Sequence, residues 1–171
     1  MVLVDGHVHV HECFDVARLF DAAAANFAAA ARALAGEREY DAVLCLVESR
    51  GERFLDAVRA RRDRVWRGDH GFWEIEPTCE PETLVACRGS TRLNLIAGRQ
   101  IVTRERLEVL ALGTTVPLPD GERIETTLAA VRDAGAAAVL PWGGGKWLGA
   151  RGGVVARILA APQWGHLLLG A

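Results

Sequence analysis

The stretch Asp41-Ala-Val-Leu-Cys-Leu-Val-Glu48 sets six apolar residues in a row between two acids. A strand with one wet face alternates apolar and polar residues. An unbroken run needs cover on both faces, as a parallel sheet layered by helices provides. Parallel strands in turn need a crossover between them, usually a helix. The residues on either side supply one. Phe14 to Leu34 carries Leu19, Phe20, Ala23, Phe27, Ala31 and Leu34 at helical spacing, with Gly36 as the stop. Glu52 to Arg62 sets Phe54, Leu55 and Val58 on one side and arginines on the other, which predicts a second amphipathic helix. With an opening strand ahead of the first helix, the pattern is β-α-β-α, and a parallel sheet or barrel follows from it.

The opening strand is also where chemistry gathers. Val2-Leu3-Val4-Asp5-Gly6-His7-Val8-His9-Val10-His11-Glu12 ends an apolar run in histidines spaced by two. Side chains alternate along an extended strand, so His7, His9 and His11 fall on one face and Val8 and Val10 on the other. Imidazoles spaced in this way can converge on one metal ion, each about 2.0–2.1 Å from it.

Further along, Trp66 to Pro81 is aromatic, acidic and broken by Pro77 and Pro81. Glu82–Arg88, Asn94–Val102 and Arg106–Leu112 then predict three short strands, a β-meander over residues 82–112. Glu122 to Ala134 predicts a helix ended by Gly135, Ala136 to Leu140 a strand, Lys146 to Ala161 a helix, and His166 to Leu169 a last strand. Pro141-Trp-Gly-Gly-Gly-Lys-Trp-Leu-Gly-Ala-Arg151 joins strand to helix. Exposed N–H groups at Gly143, Gly144 and Gly145, with Lys146 and Arg151 beside them, predict an anion-binding loop. The spacing is not that of a Walker A loop, and Trp147 stands where a magnesium-binding hydroxyl would be.

Asp5-Gly6-His7-Val8-His9 resembles the opening strand of the PHP (polymerase and histidinol phosphatase) domain, and more loosely that of the amidohydrolases. Ala97-Gly-Arg-Gln-Ile-Val102, followed by Leu107-Glu-Val-Leu-Ala-Leu112, is similar to a paired PHP pattern of a Gly-x-Glu strand and a His-x-Leu strand. The glutamate position of that pattern holds Gln100 here, and the histidine position holds Glu108. The second strand ends Val47-Glu48-Ser49 in place of Asp-His, and Leu140-Pro141-Trp142 stands in place of His-Pro. The family's closing Asp-x-His has no counterpart. The resemblance implies a PHP-like distorted (β/α) barrel spanning residues 1–171 as one domain, incomplete at its C-terminus or a fragment of a longer barrel. It implies a metal site on His7 and His9, with Glu48 as a substitute carboxylate and His11 in reserve, and Glu108 as general base or extra ligand. Zinc or manganese suits such donors. The activity implied is metal-dependent hydrolysis of a phosphoester, a small anionic substrate, with Lys146 or Arg151 on its charge. A degenerate barrel that binds a ligand or partner is the alternative.

Composition narrows the setting. The net charge is −2 and the pI about 6.2, which gives no reason to expect nucleic acid or an anionic membrane. The alanine-rich run Ala22–Ala35 is too short and too polar to span a bilayer. Cys13, Cys45, Cys79 and Cys87 form no Cys-x-x-Cys pair and read as reduced thiols of a cytoplasmic protein. A final strand without a covering helix predicts an open sheet edge and self-association through it.

Overall fold

The computed structural model describes residues 1–35, 39–61, 64–143 and 145–170. The expected βαβ opening is present. Strand β1 (Val2–Val8) pairs in parallel with β2 (Asp41–Glu48), matching Val2 to Asp41 and Asp5 to Leu44, with an irregularity before Val8 pairs with Leu46. Helix α1 (Val16–Ala35) crosses between them, and the Asp15 carboxylate caps it by accepting the Arg18 N–H at 3.1 Å. Helix α2 (Phe54–Ala60) follows β2.

The barrel expectation is overturned. After α2 the chain makes a run of antiparallel strands: β3 (Val65–Gly68), β4 (Gly71–Pro77), β5 (Thr83–Arg88), β6 (Thr91–Val102) and β7 (Glu108–Leu112). Helix α3 (Ile124–Asp133) leads to β8 (Ala137–Pro141), antiparallel to β7. Helix α4 (Ala150–Ala160) and a 3-10 turn (Pro162–Trp164) then lead to β9 (Leu168–Gly170), parallel to β8. Among the described residues, nine strands form one open sheet, in which β3 and β9 end the main path and β1 pairs with β2 alone. A barrel needs every strand paired on both sides. Three edges rule it out.

The physical reason lies in the middle of the chain. The aromatic, acidic stretch that reads as irregular is a hairpin, with Gly68 opposite Gly71 across the two-residue turn Asp69-His70. Trp73 and Ile75 are buried while Phe72, Glu74 and Glu76 are exposed, the period of two of a half-buried strand. Arg88 opposite Thr91 closes the turn between β5 and β6 on Gly89, whose φ of +57° favours glycine. Hairpins this tight leave no length for a crossover helix. The predicted meander over 82–112 is present and is preceded by two more strands.

The described residues group into two compact units. In the first (1–48 and 52–97), Ala17, Phe20, Ala24 and Phe27 of α1 meet Leu44 and Leu46 of β2, Trp73 and Ile75 of β4, and Leu93 and Leu95 of β6. Asp21, also on α1, fixes the helix to the hairpin. It accepts the Trp73 indole N–H at 2.8 Å and the Asp69 N–H at 3.0 Å, and it pairs with Arg88. A Cβ on Gly68 would lie 2.7 Å from its Oδ2, so the close approach needs glycine there. Burial acts to raise the Asp21 pKa, but the Trp73 and Asp69 donors and the Arg88 charge outweigh it and hold the carboxyl below its usual value.

In the second unit (49–51 and 98–171), Ile101, Val109, Ala111, Ala138 and Leu140 form the sheet side of the core. Ile124, Leu128 and Val131 of α3 and Val155 and Ile158 of α4 cover them. Among the described residues no helix is long and apolar enough to cross a membrane. The four cysteines are free thiols, and burial, with the Asp5 charge adding to it, pushes the Cys45 thiol up.

Candidate metal centre

Because β1 and β2 run in parallel, their C-terminal ends share one edge, and the segments leaving them meet there. Such ends are the usual place for ligands in parallel sheets. Strand β1 stops at Val8, so His7 is its penultimate residue while His9 and His11 lie in the connection to α1. The histidines still stack in order. The rings of His7 and His9 are 5.2 Å apart and tilted by 54°, and those of His9 and His11 are 5.5 Å apart and nearly parallel at 4°. Phe14 stands edge-on to His11 at 5.1 Å, and its N–H donates to the His11 carbonyl at 2.9 Å.

The carboxylate that meets them is Glu52, two residues ahead of α2. Its Oε1 lies 2.5 Å from His11 Nδ1 and its Oε2 lies 3.5 Å from His9 Nδ1, so one acid faces two imidazoles, one oxygen to each. Glu52 and His9 side chains are 18% and 23% exposed, whereas His11 is 48% exposed, so the group is seated on protein and open on one flank. His9, His11 and Glu52 each offer one ligand atom, and these atoms all lie within 4.8 Å of one another. Two donors of a tetrahedral ion with bonds of about 2.0–2.2 Å are separated by about 3.3–3.6 Å. The His9–Glu52 spacing already meets this. The His11–Glu52 contact must open by about 1 Å, as it would on exchanging a shared proton for an ion. Two imidazoles and a carboxylate are a donor set that zinc and related divalent ions accept.

The residues predicted from sequence are distributed differently from the expectation. His9 is in the group, and His7 sits beside it with Nε2 3.3 Å from His9 Nε2. Glu48 is not in the group; its Oε1 accepts the Leu55 N–H at 2.9 Å and so caps the first turn of α2. Glu108 belongs to the second unit, where its carboxylate takes the Lys146 ammonium at 2.5 Å. Lys146 therefore carries a counter-charge of its own. Arg151 Nη2 donates to the Gly145 carbonyl at 3.0 Å. Helix α4 starts at Ala150, later than the sequence predicts, so Gly143 and Gly145 do not form its N-terminus. Gly143 has a packing role: a Cβ there would lie 2.9 Å from Lys146 Cδ, along the path the lysine takes to Glu108. Gly144 lies outside the described residues. Sequence reading passed over Glu52 as a helix residue, although an acid just past the end of a buried parallel strand is the signal that locates it.

No family model matches the chain, and no curated protein or solved structure does either.

Proposed function

We propose that the protein binds one divalent transition-metal ion, zinc or manganese, through His9, His11 and Glu52 and uses it for hydrolysis of a phosphoester. The observation that carries the reading is the convergence of these three donors at the shared end of β1 and β2. Three protein ligands with an exposed flank are the arrangement of catalytic sites, whereas structural sites close with a fourth. The resemblance of Asp5-Gly6-His7-Val8-His9 to a PHP opening strand supports the substrate class and carries no implication for the fold.

An ion held there by His9, His11 and Glu52 would supply Lewis acidity toward a phosphoryl oxygen and would lower the pKa of water to about 7. The chain's own part is positioning. Glu52 turns one carboxylate oxygen toward the Nδ1 of each imidazole. Phe14 packs the outer ring in place, which limits the rearrangement needed on binding.

Elemental analysis of protein purified without chelator, followed by calorimetric titration with zinc and manganese, tests the site. One ion per chain is expected, lost in His11→Ala. Turnover of simple phosphate monoesters should depend on that ion. Failure of the wild-type chain to take up any transition metal would refute the site, and turnover of amides in place of phosphoesters would refute the substrate class.

A further inference from the structure

The sequence motif implies that His7 and His9 are partner ligands, but the geometry around His9 separates them. The two ring nitrogens of His9 look opposite ways: Nδ1 lies 3.5 Å from Glu52 Oε2, and Nε2 lies 3.3 Å from His7 Nε2. Two ligands of a tetrahedral ion stand about 3.3 Å apart, so distance alone would let an ion take either side of the ring. A neutral imidazole has one lone pair and one N–H, so it can serve only one side. Glu52, the carboxylate of the three-donor group, faces Nδ1, and an anionic oxygen with a second imidazole outbids a lone imidazole for a dication. With Nδ1 given to the ion, the proton of His9 must sit on Nε2, and there it points at His7 Nε2. Metal-bound histidines characteristically donate their other N–H to a fixed acceptor, which sets the tautomer and the ring orientation.

Building on the metal site proposed above, we infer that His7 is a positioning residue: its Nε2 accepts the Nε2–H of His9 and so holds Nδ1 of His9 toward the ion. The placement of the two residues supports the division of labour. His7 is in β1, between Asp5 and Val8, which pair with β2 on either side of an irregularity, and its own N–H donates to Asp5 Oδ1 at 3.2 Å. His9 is past the strand end and depends on its neighbours for orientation.

The test is zinc and cobalt titration of the wild-type chain and of His7→Ala, His7→Gln and His11→Ala, with folding checked by circular dichroism. Loss of an outer acceptor lowers metal affinity about 10–100-fold. His7→Ala should therefore bind 10–100-fold more weakly but still one ion per chain, with the cobalt absorption bands unchanged because the donor set is unchanged. His7→Gln, whose amide oxygen can accept the same N–H, should recover most of the loss. Nitrogen-detected spectra of the zinc-loaded wild type should place the His9 proton on Nε2. An altered cobalt spectrum or abolished binding in His7→Ala would make His7 a ligand and overturn the inference. Unchanged affinity in His7→Ala, or no recovery in His7→Gln, would overturn it as well. Unweakened binding in His11→Ala, or none in the wild type, would instead break the metal site itself and take this inference with it.

Discussion

The histidine cluster beyond β1 and the glycine loop beyond β8 contain similar ingredients, nitrogen groups set against a carboxylate, and they behave as opposites. In the loop, Glu108 meets the Lys146 ammonium at 2.5 Å, and Arg151 turns back to the Gly145 carbonyl. The Lys146 charge is answered by Glu108 at the start of β7. In the cluster, one carboxylate faces two imidazoles, which carry a compensating charge only when protonated. An ion can take the proton's place there, whereas a lysine ammonium leaves no lone pair to offer. What separates a candidate site from a surface ion pair is therefore whether the nitrogen can give up its proton, and not how many polar groups gather.

Asp21 is the limiting case of the answered kind, and it should show the largest effect. With Asp21 and Arg88 only 12% and 19% exposed, Asp21→Ala strands the guanidinium and the Trp73 indole N–H together. A loss of about 3 kcal/mol is expected, measured by urea unfolding. The carboxyl is held below its usual value in the folded chain. Its contribution is therefore complete above the unfolded value of about 4 and is lost as the pH falls below it. The gap in urea midpoint between wild type and Asp21→Asn should narrow below about pH 4. A gap that widened on acidification would contradict the pairing.

The two glutamates flanking the β2–α2 turn sharpen the contrast next. Glu52→Gln should weaken zinc binding at least about a hundredfold, or roughly 2.7 kcal/mol, with little change in stability. Glu48→Ala should do the reverse. It removes the acceptor for the Leu55 N–H and costs about 1 kcal/mol of stability, while zinc affinity stays within a factor of about two. Loss of zinc binding in Glu48→Ala would restore it as the ligand that the motif implies.

These two residues also mark how far the sequence can be read. The run from Ala42 to Val47 and the helix-spaced Phe20, Phe27 and Ala31 were legible because burial on two faces and burial on one stripe leave different periods, while Ala17 and Ala24 complete the buried stripe and Leu34, expected on it, is exposed. The barrel was not a sound extension of them. One parallel pair at each end of the chain, β1 with β2 and β8 with β9, says nothing about the five antiparallel strands that lie between in sequence. The β4 alternation is present in Phe72 to Glu76, but with Pro77 and Pro81 breaking the stretch no strand is read from it. For the site, His9 and His11 were visible as a spacing. Glu52 was not, because an acid after a strand can cap a helix or hold an ion. Glu48 caps α2, and Glu52, four residues on, is in the group that could hold an ion.

The smallest effect should come from Lys146→Ala. With Lys146 42% exposed, its pair with Glu108 is screened, and the stability cost should stay below about 1 kcal/mol. Zinc affinity should not change, since Lys146 is not among the donors. The more telling readout is inorganic phosphate. A lysine whose charge is answered by Glu108 should not create a phosphate site, so wild type and Lys146→Ala should give the same negligible heat on titration with phosphate. Glu108→Gln removes the answering charge. If the loop were an anion site that Glu108 merely restrains, that variant would bind phosphate measurably and lose it again in the Glu108→Gln/Lys146→Ala double variant. Saturable phosphate binding in the wild type, abolished by Lys146→Ala, would erase the difference between the two regions.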